Sequence, residues 1–405
     1  MKSLGKPIWT MALTVLLNGQ SELPKDVIQL SELRRDIGKS VANLDNYTCV
    51  ETIDREERKD ARRGFQHVDT VNVEVAVVND HELYSWPGAK FEDREVGAMV
   101  GGGLMSTGSF RSAIRNVLIN NGSTIRFHGD EDILGRRAIR WDYTIPYYLS
   151  RWDVEIEGRR GRVSETGSFW VDAGTLELLR LETAANDIPP DLRVTSIRET
   201  LNYARVRVES RDLLLPQSVE TSVTKLTGVE RLNRIEISHC REFRAAAELT
   251  FNEPKAADKP ASPMIELYLP ACLEISVRMT HAIDSKTAAV GDRISAVTDA
   301  PVRYHRTILI PKGALLEGRI HRLERRLTPR PYYLVGIEFT DMEFPGHHAR
   351  FIGQILGIQA ESSRLRTEIE TTVKIPGVSI FFLEGTAFHL PEGMQMTWFT
   401  TRLQK

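Results

Sequence analysis

Val71-Asn72-Val73-Glu74-Val75-Ala76-Val77 runs into Asn79-Asp80 and then Leu83-Tyr84-Ser85-Trp86-Pro87-Gly88. Valine at every second position is the period of a strand that buries one face, and a turn followed by a second apolar run reads as a β-hairpin. The alternation recurs downstream. Ile139, Trp141, Tyr143 and Ile145 alternate with Arg140, Asp142 and Thr144, and Trp152, Val154 and Ile156 alternate with Asp153 and Glu155. Residues 168–172, 176–183, 193–207, 213–224 and 230–243 continue the pattern. Long strands with short turns predict an antiparallel sheet with one wet and one apolar face.

Two segments break the period. After Pro24, the apolar residues Ile28, Leu30, Leu33, Ile37, Val41 and Leu44 fall mostly three or four apart, the stripe of an amphipathic helix that must pack on the sheet. Between the early and middle strands, residues 96–119 carry Gly97, Gly101, Gly102 and Gly103, then Phe110, Ile114, Val117 and Leu118 at helical spacing. This is a helical excursion from the meander.

Residues 252–264 contain three prolines and no large apolar side chain before Met264, the composition of a semi-rigid linker. Beyond it the strand pattern resumes, separated by Pro311-Lys312-Gly313, Pro345-Gly346 and Glu392-Gly393. The expected organisation is a leader at 1–21, a helix-covered half-barrel at 22–251, the linker, and a small β-barrel or sandwich at 265–405. The fold class is mainly β, of the α+β kind.

Lys2 and Lys6 precede an uncharged run from Pro7 to Leu17 and the small polar stretch Asn18-Gly19-Gln20-Ser21. That is the layout of a secretory signal peptide, and a run of about 11 residues is short of the roughly 20 that span a bilayer. An uncleaved anchor or a buried first helix is the alternative. The formal net charge of −2 provides no whole-chain attraction to nucleic acid or anionic lipid. The three cysteines, Cys49, Cys240 and Cys272, lack zinc spacing. In an oxidising compartment Cys49 and Cys240, near the first and last strands of the first unit, are expected to pair, leaving Cys272 as a buried free thiol. Three reduced core cysteines are the alternative.

The first unit resembles the LolA/LolB-type half-barrel lipoprotein carriers in its organisation. More closely it resembles an uncharacterised family of secreted bacterial proteins that carry Asn46-Tyr47-Thr48-Cys49, Tyr84-Ser85-Trp86-Pro87-Gly88, Phe91-Glu92-Asp93, Gly167-Ser168-Phe169-Trp170-Val171-Asp172 and Leu215-Pro216-Gln217-Ser218. The carrier resemblance implies a curved sheet whose concave apolar face receives acyl chains. Residues 266–399 resemble the β-barrel module of VirB10/TrbI-type envelope proteins through Ile283-Asp284-Ser285-Lys286-Thr287-Ala288-Ala289-Val290-Gly291-Asp292-Arg293, Ile310-Pro311-Lys312-Gly313-Ala314 with Gly318, and Leu390-Pro391-Glu392-Gly393. The inner-membrane helix and pore-forming insertion of that module have no counterpart in the sequence.

Catalytic strings are missing. There is no G-x-S-x-G nucleophile turn and no H-E-x-x-H, and Val100-Gly101-Gly102-Gly103-Leu104 is not followed by the Lys-Ser/Thr of a phosphate cradle. His347-His348 in an apparent hairpin turn is weighed as a metal ligand against an exposed polar turn. The aromatic set Trp86, Trp141, Tyr143, Trp152, Phe169 and Trp170 forms either core or a platform for a flat or acyl ligand. Gly97, Gly101, Gly102, Gly103 and Leu104 form either a hinged cover for that platform or an ordinary loop. Arg319, Arg322, Arg325 and Arg326 form either a polyanion patch or a charged hairpin edge. These readings converge on a periplasmic or secreted, non-enzymatic protein without a cofactor. Its expected partners are a lipid, an acyl chain or a lipoprotein; the alternative is a scaffold docking an envelope protein through the C-terminal barrel, and nucleic acid is disfavoured.

Overall fold

A computed structural model of the chain describes residues 23–42, 47–78, 81–91, 96–100, 112–209, 211–242, 264–327, 330–359, 365–366 and 377–401. The expected leader, Gly101, Gly102, Gly103 and Leu104 of the expected cover, and all of the linker but Met264 lie outside the described residues. Among the described residues no helix is long and apolar enough to cross a membrane.

The chain opens with helix α1 (Lys25–Ala42), followed by strands β1 (Tyr47–Arg58), β2 (Gln66–Val78) and β3 (His81–Ser85). Short helices α2 (Val96–Met99) and α3 (Ser112–Ile114) follow, the latter running into a π-turn at Arg115–Ile119. Then come β4 (Thr124–Ile133), β5 (Arg136–Ile145), β6 (Asp153–Ile156), β7 (Arg159–Arg162), β8 (Ser164–Asp172), β9 (Leu178–Asn186), β10 (Val194–Val208), β11 (Arg211–Lys225) and β12 (Glu230–Glu242). Ten of these strands form one sheet in the order β3-β2-β1-β12-β11-β10-β9-β8-β5-β4, with β6 and β7 as a separate hairpin. The sheet is mainly antiparallel and curls into a half-barrel, so that Tyr84 near one edge and Tyr143 near the other join one core.

Helix α1 lies on that curl because Leu33, Ile37 and Val41, spaced by four, are 1–3% exposed. Each buried side chain of this size stabilises by about 1.5–3 kcal/mol. The stripe ends early, since Ile28 is exposed. Placing β1 beside β12, the first and last strands of the first unit, puts Cys49 next to Cys240, and they form a disulfide. Cys272 is unpaired as expected, but it is exposed instead of buried, because it sits at a turn with φ of 69° just before the next strand begins.

The remaining strands are β13 (Ile265–Leu267), β14 (Glu274–Met279), β15 (Ile283–Asp284), β16 (Arg293–Thr298), β17 (Val302–Tyr304), β18 (Thr307–Ile310), β19 (Leu315–Arg326), β20 (Tyr332–Phe344), β21 (His347–Arg350), β22 (Gly353–Gln359), β23 (Leu365–Arg366), β24 (Ser379–Glu384), β25 (His389–Leu390) and β26 (Gln395–Thr400). Ten of them form a second sheet in the order β13-β21-β20-β19-β16-β14-β26-β22, with β24 on β20 and β23 on β24. The pairs β15-β25 and β17-β18 stand apart from it. Trp398 meets both Phe339 and Phe351 edge-on in its core.

The two sheets are stitched together by backbone. The Asn72 N–H donates to the Val290 carbonyl and the Val290 N–H donates to the Thr70 carbonyl, both at 2.8 Å. Gly291 allows this approach: its φ is +98°, and a Cβ there would stand 2.4 Å from the Asn72 carbonyl and 2.8 Å from the Trp86 ring. Arg319 donates to the Gly291 and Pro87 carbonyls at 2.9 and 3.0 Å, and Arg293 donates to the Gly88 carbonyl. The Trp-Pro-Gly turn of the first sheet is therefore gripped by the Val290–Arg293 segment and β19 of the second.

Candidate functional site

The concave face of the first sheet carries a feature that strict alternation hides. In the strand register, Val71, Ile53, Ile235, Val219, Leu201, Leu181, Phe169 and Trp141 stand side by side across eight strands. All are at most 1% exposed. Two residues further along each strand, on the same face, runs a second row: Asp69, Arg55, Asn233, Thr221, Glu199, Thr183, Gly167 and Tyr143. Apart from Gly167, every member carries a polar group and is at most 9% exposed. Seven strand spacings of about 4.8 Å make each row roughly 34 Å long.

The polar row divides the apolar interior. Leu201 and Val219 on one side of it belong to the main core, while Ile197 and Val223 on the other belong to a smaller cluster with Ile156, Val163, Leu192 and Val194. At one end Arg55 donates two hydrogen bonds to Asp69, 2.6 and 2.5 Å long, in a fully desolvated pair. Burial works against the Arg55 charge, yet Asp69, with Glu324 of the second sheet behind it, holds its pKa above the ordinary value. At the other end the Tyr143 ring lies over Gly167, where a Cβ would meet it at 2.8 Å, and its hydroxyl reaches Thr183 at 2.6 Å. The same Cβ would stand 1.9 Å from the Glu182 carbonyl oxygen, so only glycine fits there.

Glu199 sits in the middle. Burial, then the like charges of Glu165 and Glu82, push its carboxyl up to about 7. Burial likewise raises Glu165, which accepts from Asn116 and Ser150 at 2.5 and 2.6 Å. Tyr203, two positions beyond Leu201 on β10, is 4% exposed and its hydroxyl has no hydrogen-bond partner among the described residues. Burial, then the fields of Glu199, Tyr143, Tyr47 and Glu82, push its pKa well above the ordinary phenol value.

The six aromatic residues singled out in the sequence do not form one platform. Trp141, Tyr143 and Phe169 share the concave face, with Trp141 and Phe169 stacked 5.5 Å apart. Trp170 is on the opposite face, where its indole donates to Glu131 and Arg140 lies over the ring. Trp152 packs on the smaller cluster, and Trp86 stands at the seam between the sheets. Gly97 lies in α2.

Of the arginine cluster, Arg322 is buried, Arg319 and Arg325 are half-buried and Arg326 is exposed. Arg319 is engaged by two carbonyls at the seam, and Arg322 and Arg326 both bind the buried Glu324. Arg325 is half-buried, and its Nε has no hydrogen-bond partner among the described residues. His348 pairs with Asp341, and among the described residues no group of three or more His, Cys, Asp or Glu is placed to hold a metal ion. An open surface groove of about 780 Å³ lies between the start of α1 and the β8–β9 turn, lined by Leu23, Ile28 and Leu176, away from the polar row.

Sequence reasoning treated the inward positions as uniformly apolar and so missed Arg55, Glu165, Glu199 and Tyr203. The signal was present. Glu199 is in phase with Ile197 and Leu201, and Arg55 with Ile53.

Fold and site together define a mainly antiparallel β protein whose helix-covered concave face is amphiphilic. No protein-family model and no curated protein sequence matches the chain. Three solved structures are similar in part. A Vibrio parahaemolyticus domain named for outer membrane lipoprotein sorting is 11% identical, covering 54% of this chain and 93% of its own at a TM-score of 0.29. A DUF1329 family protein from Desulfovibrio piger is 12% identical, covering 53% and 92% at 0.28. A LolA superfamily protein from Nitrosomonas europaea is 8% identical, covering 55% and 97% at 0.28. Likenesses at these scores transfer neither ligand nor activity.

Proposed function

We propose that the chain is an exported, non-enzymatic protein that binds a lipid, an acyl chain or the acyl part of a lipoprotein on the concave face of its first sheet. The observation that carries the reading is the pair of adjacent rows across eight strands, one apolar and one polar. A molecule with an apolar chain and a polar head matches that juxtaposition; a purely apolar ligand would leave the polar row unanswered. The Lys2 and Lys6 leader pattern and the Cys49–Cys240 bridge support work outside the cytoplasm, in the periplasm or beyond it. Gly97 to Leu104 remains the proposed cover. The test is native mass spectrometry of protein from a periplasmic fraction, followed by organic extraction. A bound acyl species is expected, and a repeatedly clean mass would count against the proposal.

A second reading, a non-enzymatic scaffold that docks an envelope protein through the C-terminal VirB10-like sheet, is favoured by one observation. Trp141 and Phe169 are buried and stacked on each other, so this part of the concavity is filled by core side chains. A clean mass together with capture of an envelope protein by residues 265–405 within the full chain would move the conclusion there.

A further inference from the structure

We infer that the hairpin of β17 and β18 is a membrane-contact finger that seats in the head-group layer of an anionic bilayer, a role independent of the concave face. The hairpin stands apart from both large sheets. Its root is fixed, because Val302 and Ile310 pair across it and are 7% and 0% exposed. Beyond the root, every residue of Arg303-Tyr304-His305-Arg306-Thr307-Ile308 is exposed, and none is acidic. The side chains of Arg303 and Arg306, and of Lys312 in the turn that follows, have no ion-pair or hydrogen-bond partner among the described residues. Asp299, the nearest acid along the chain, is held by Arg278 at 3.4 Å and Gln395 at 2.8 Å. Arg319, Arg322 and Arg326 differ in this respect, since their partners are internal. A chain of net charge −2 thus presents a local cationic tip.

The backbone of the tip is costly. His305 and Arg306 form the two-residue turn with φ of 47° and 71°, left-handed at both positions, where Asn-Gly is the usual solution. Long side chains are disfavoured in that conformation, yet here they carry a cation to the outermost point of the finger. The register decides what kind of partner fits. Arg303 stands opposite Ile308 on one face and Tyr304 opposite Thr307 on the other, so the exposed apolar side chains, Ile308 at 50% and Tyr304 at 41%, lie on opposite faces. A protein partner would cover one face and leave the other wet, and two such side chains fall well short of the roughly 800 Å² per partner of a stable protein interface. A head-group layer surrounds both faces. Its phosphates answer the arginines, tyrosine favours that depth, and the isoleucine reaches acyl chains. A soluble polyanion would leave Ile308 without a role.

The test is co-sedimentation of the full chain with phosphatidylcholine vesicles carrying about 30% phosphatidylglycerol, compared with phosphatidylcholine alone. Partitioning at least about tenfold tighter onto the anionic vesicles is expected. Arg303→Gln with Arg306→Gln should weaken it roughly thirtyfold, and Tyr304→Ser with Ile308→Ser about tenfold. These variants leave the root pair Val302 and Ile310 intact, so each should still fold. Arg306→Gly suits the left-handed turn better; it should raise the melting temperature and yet weaken partitioning about fivefold. Equal partitioning onto the two vesicles, or anionic partitioning unmoved by the double arginine variant or by Arg306→Gly, would overturn the inference. So would binding to soluble polyphosphate without binding to vesicles.

Discussion

Trp86 of the first sheet stands edge-on to His321 of the second, with ring centroids 5.4 Å apart and planes at 83°. On its far side His321 binds Glu338 at 2.8 Å through Nε2, so the contact extends from a turn of one sheet into the body of the other. The motifs quoted for two separate resemblances, Trp86-Pro87-Gly88 and Val290-Gly291-Asp292-Arg293, are in fact the two halves of one contact.

That seam predicts joint unfolding. The unaltered chain should melt in one calorimetric transition, and Trp86→Ala, which empties a partly buried position, should cost about 2–3 kcal/mol and separate the transition into two. A variant that melts as a single sharp transition at the original temperature would contradict the coupling.

Glu199 makes stability depend on pH in a defined direction. Its folded-state pKa of about 7 exceeds the ordinary 4.5, so the native chain holds a proton that the unfolded chain releases between those values. Its contribution is complete below pH 4.5, declines as pH rises, and is gone above pH 7, a change of about 3 kcal/mol. Glu199→Gln keeps the shape and removes the titration. Urea unfolding should show the variant more stable by up to about 3 kcal/mol at pH 8 and near parity at pH 4; parallel profiles would reject the assignment.

The Arg55–Asp69 pair should respond asymmetrically to substitution. Arg55→Met leaves a buried carboxylate uncompensated and should cost about 3–5 kcal/mol, whereas Arg55→Met with Asp69→Leu should recover most of that loss. A double-mutant cycle read by urea unfolding decides it, and additive losses would show the pair to be uncoupled.

The cysteines should separate by accessibility. Thiol titration of the denatured, unreduced chain should count one thiol, and the same thiol, Cys272, should react in the native protein because it is exposed. Replacing Cys49 and Cys240 by alanine frees a loop of 191 residues and should cost roughly 5 kcal/mol in chain entropy. A native protein inert to thiol reagents would contradict the exposure of Cys272.

The legible parts of this fold were those governed by local periodicity. Alternation at Val71 to Val77 and at Ile139 to Ile145 located strands because each side chain's face follows from its position in the pleat. The four-residue spacing of Leu33, Ile37 and Val41 located the helix face in the same way. The site was less legible. Trp141 and Phe169 share a face, but Trp170 does not, and a list of large aromatics carries no information about which strands become neighbours.

The strand period, the amphipathic helix and the pair of cysteines that could meet at the ends of one sheet were readable before any fold was known, since each depends on residues close in the chain or on composition. Assembly of the sheets is what brings Asp69, Arg55, Asn233, Thr221, Glu199, Thr183 and Tyr143 into one buried row and Arg319 onto the Pro87 carbonyl. The residues of the row stand up to 178 positions apart in the chain, Arg55 to Asn233. Their alignment depends on register across eight strands, and register is a property of the assembled sheet.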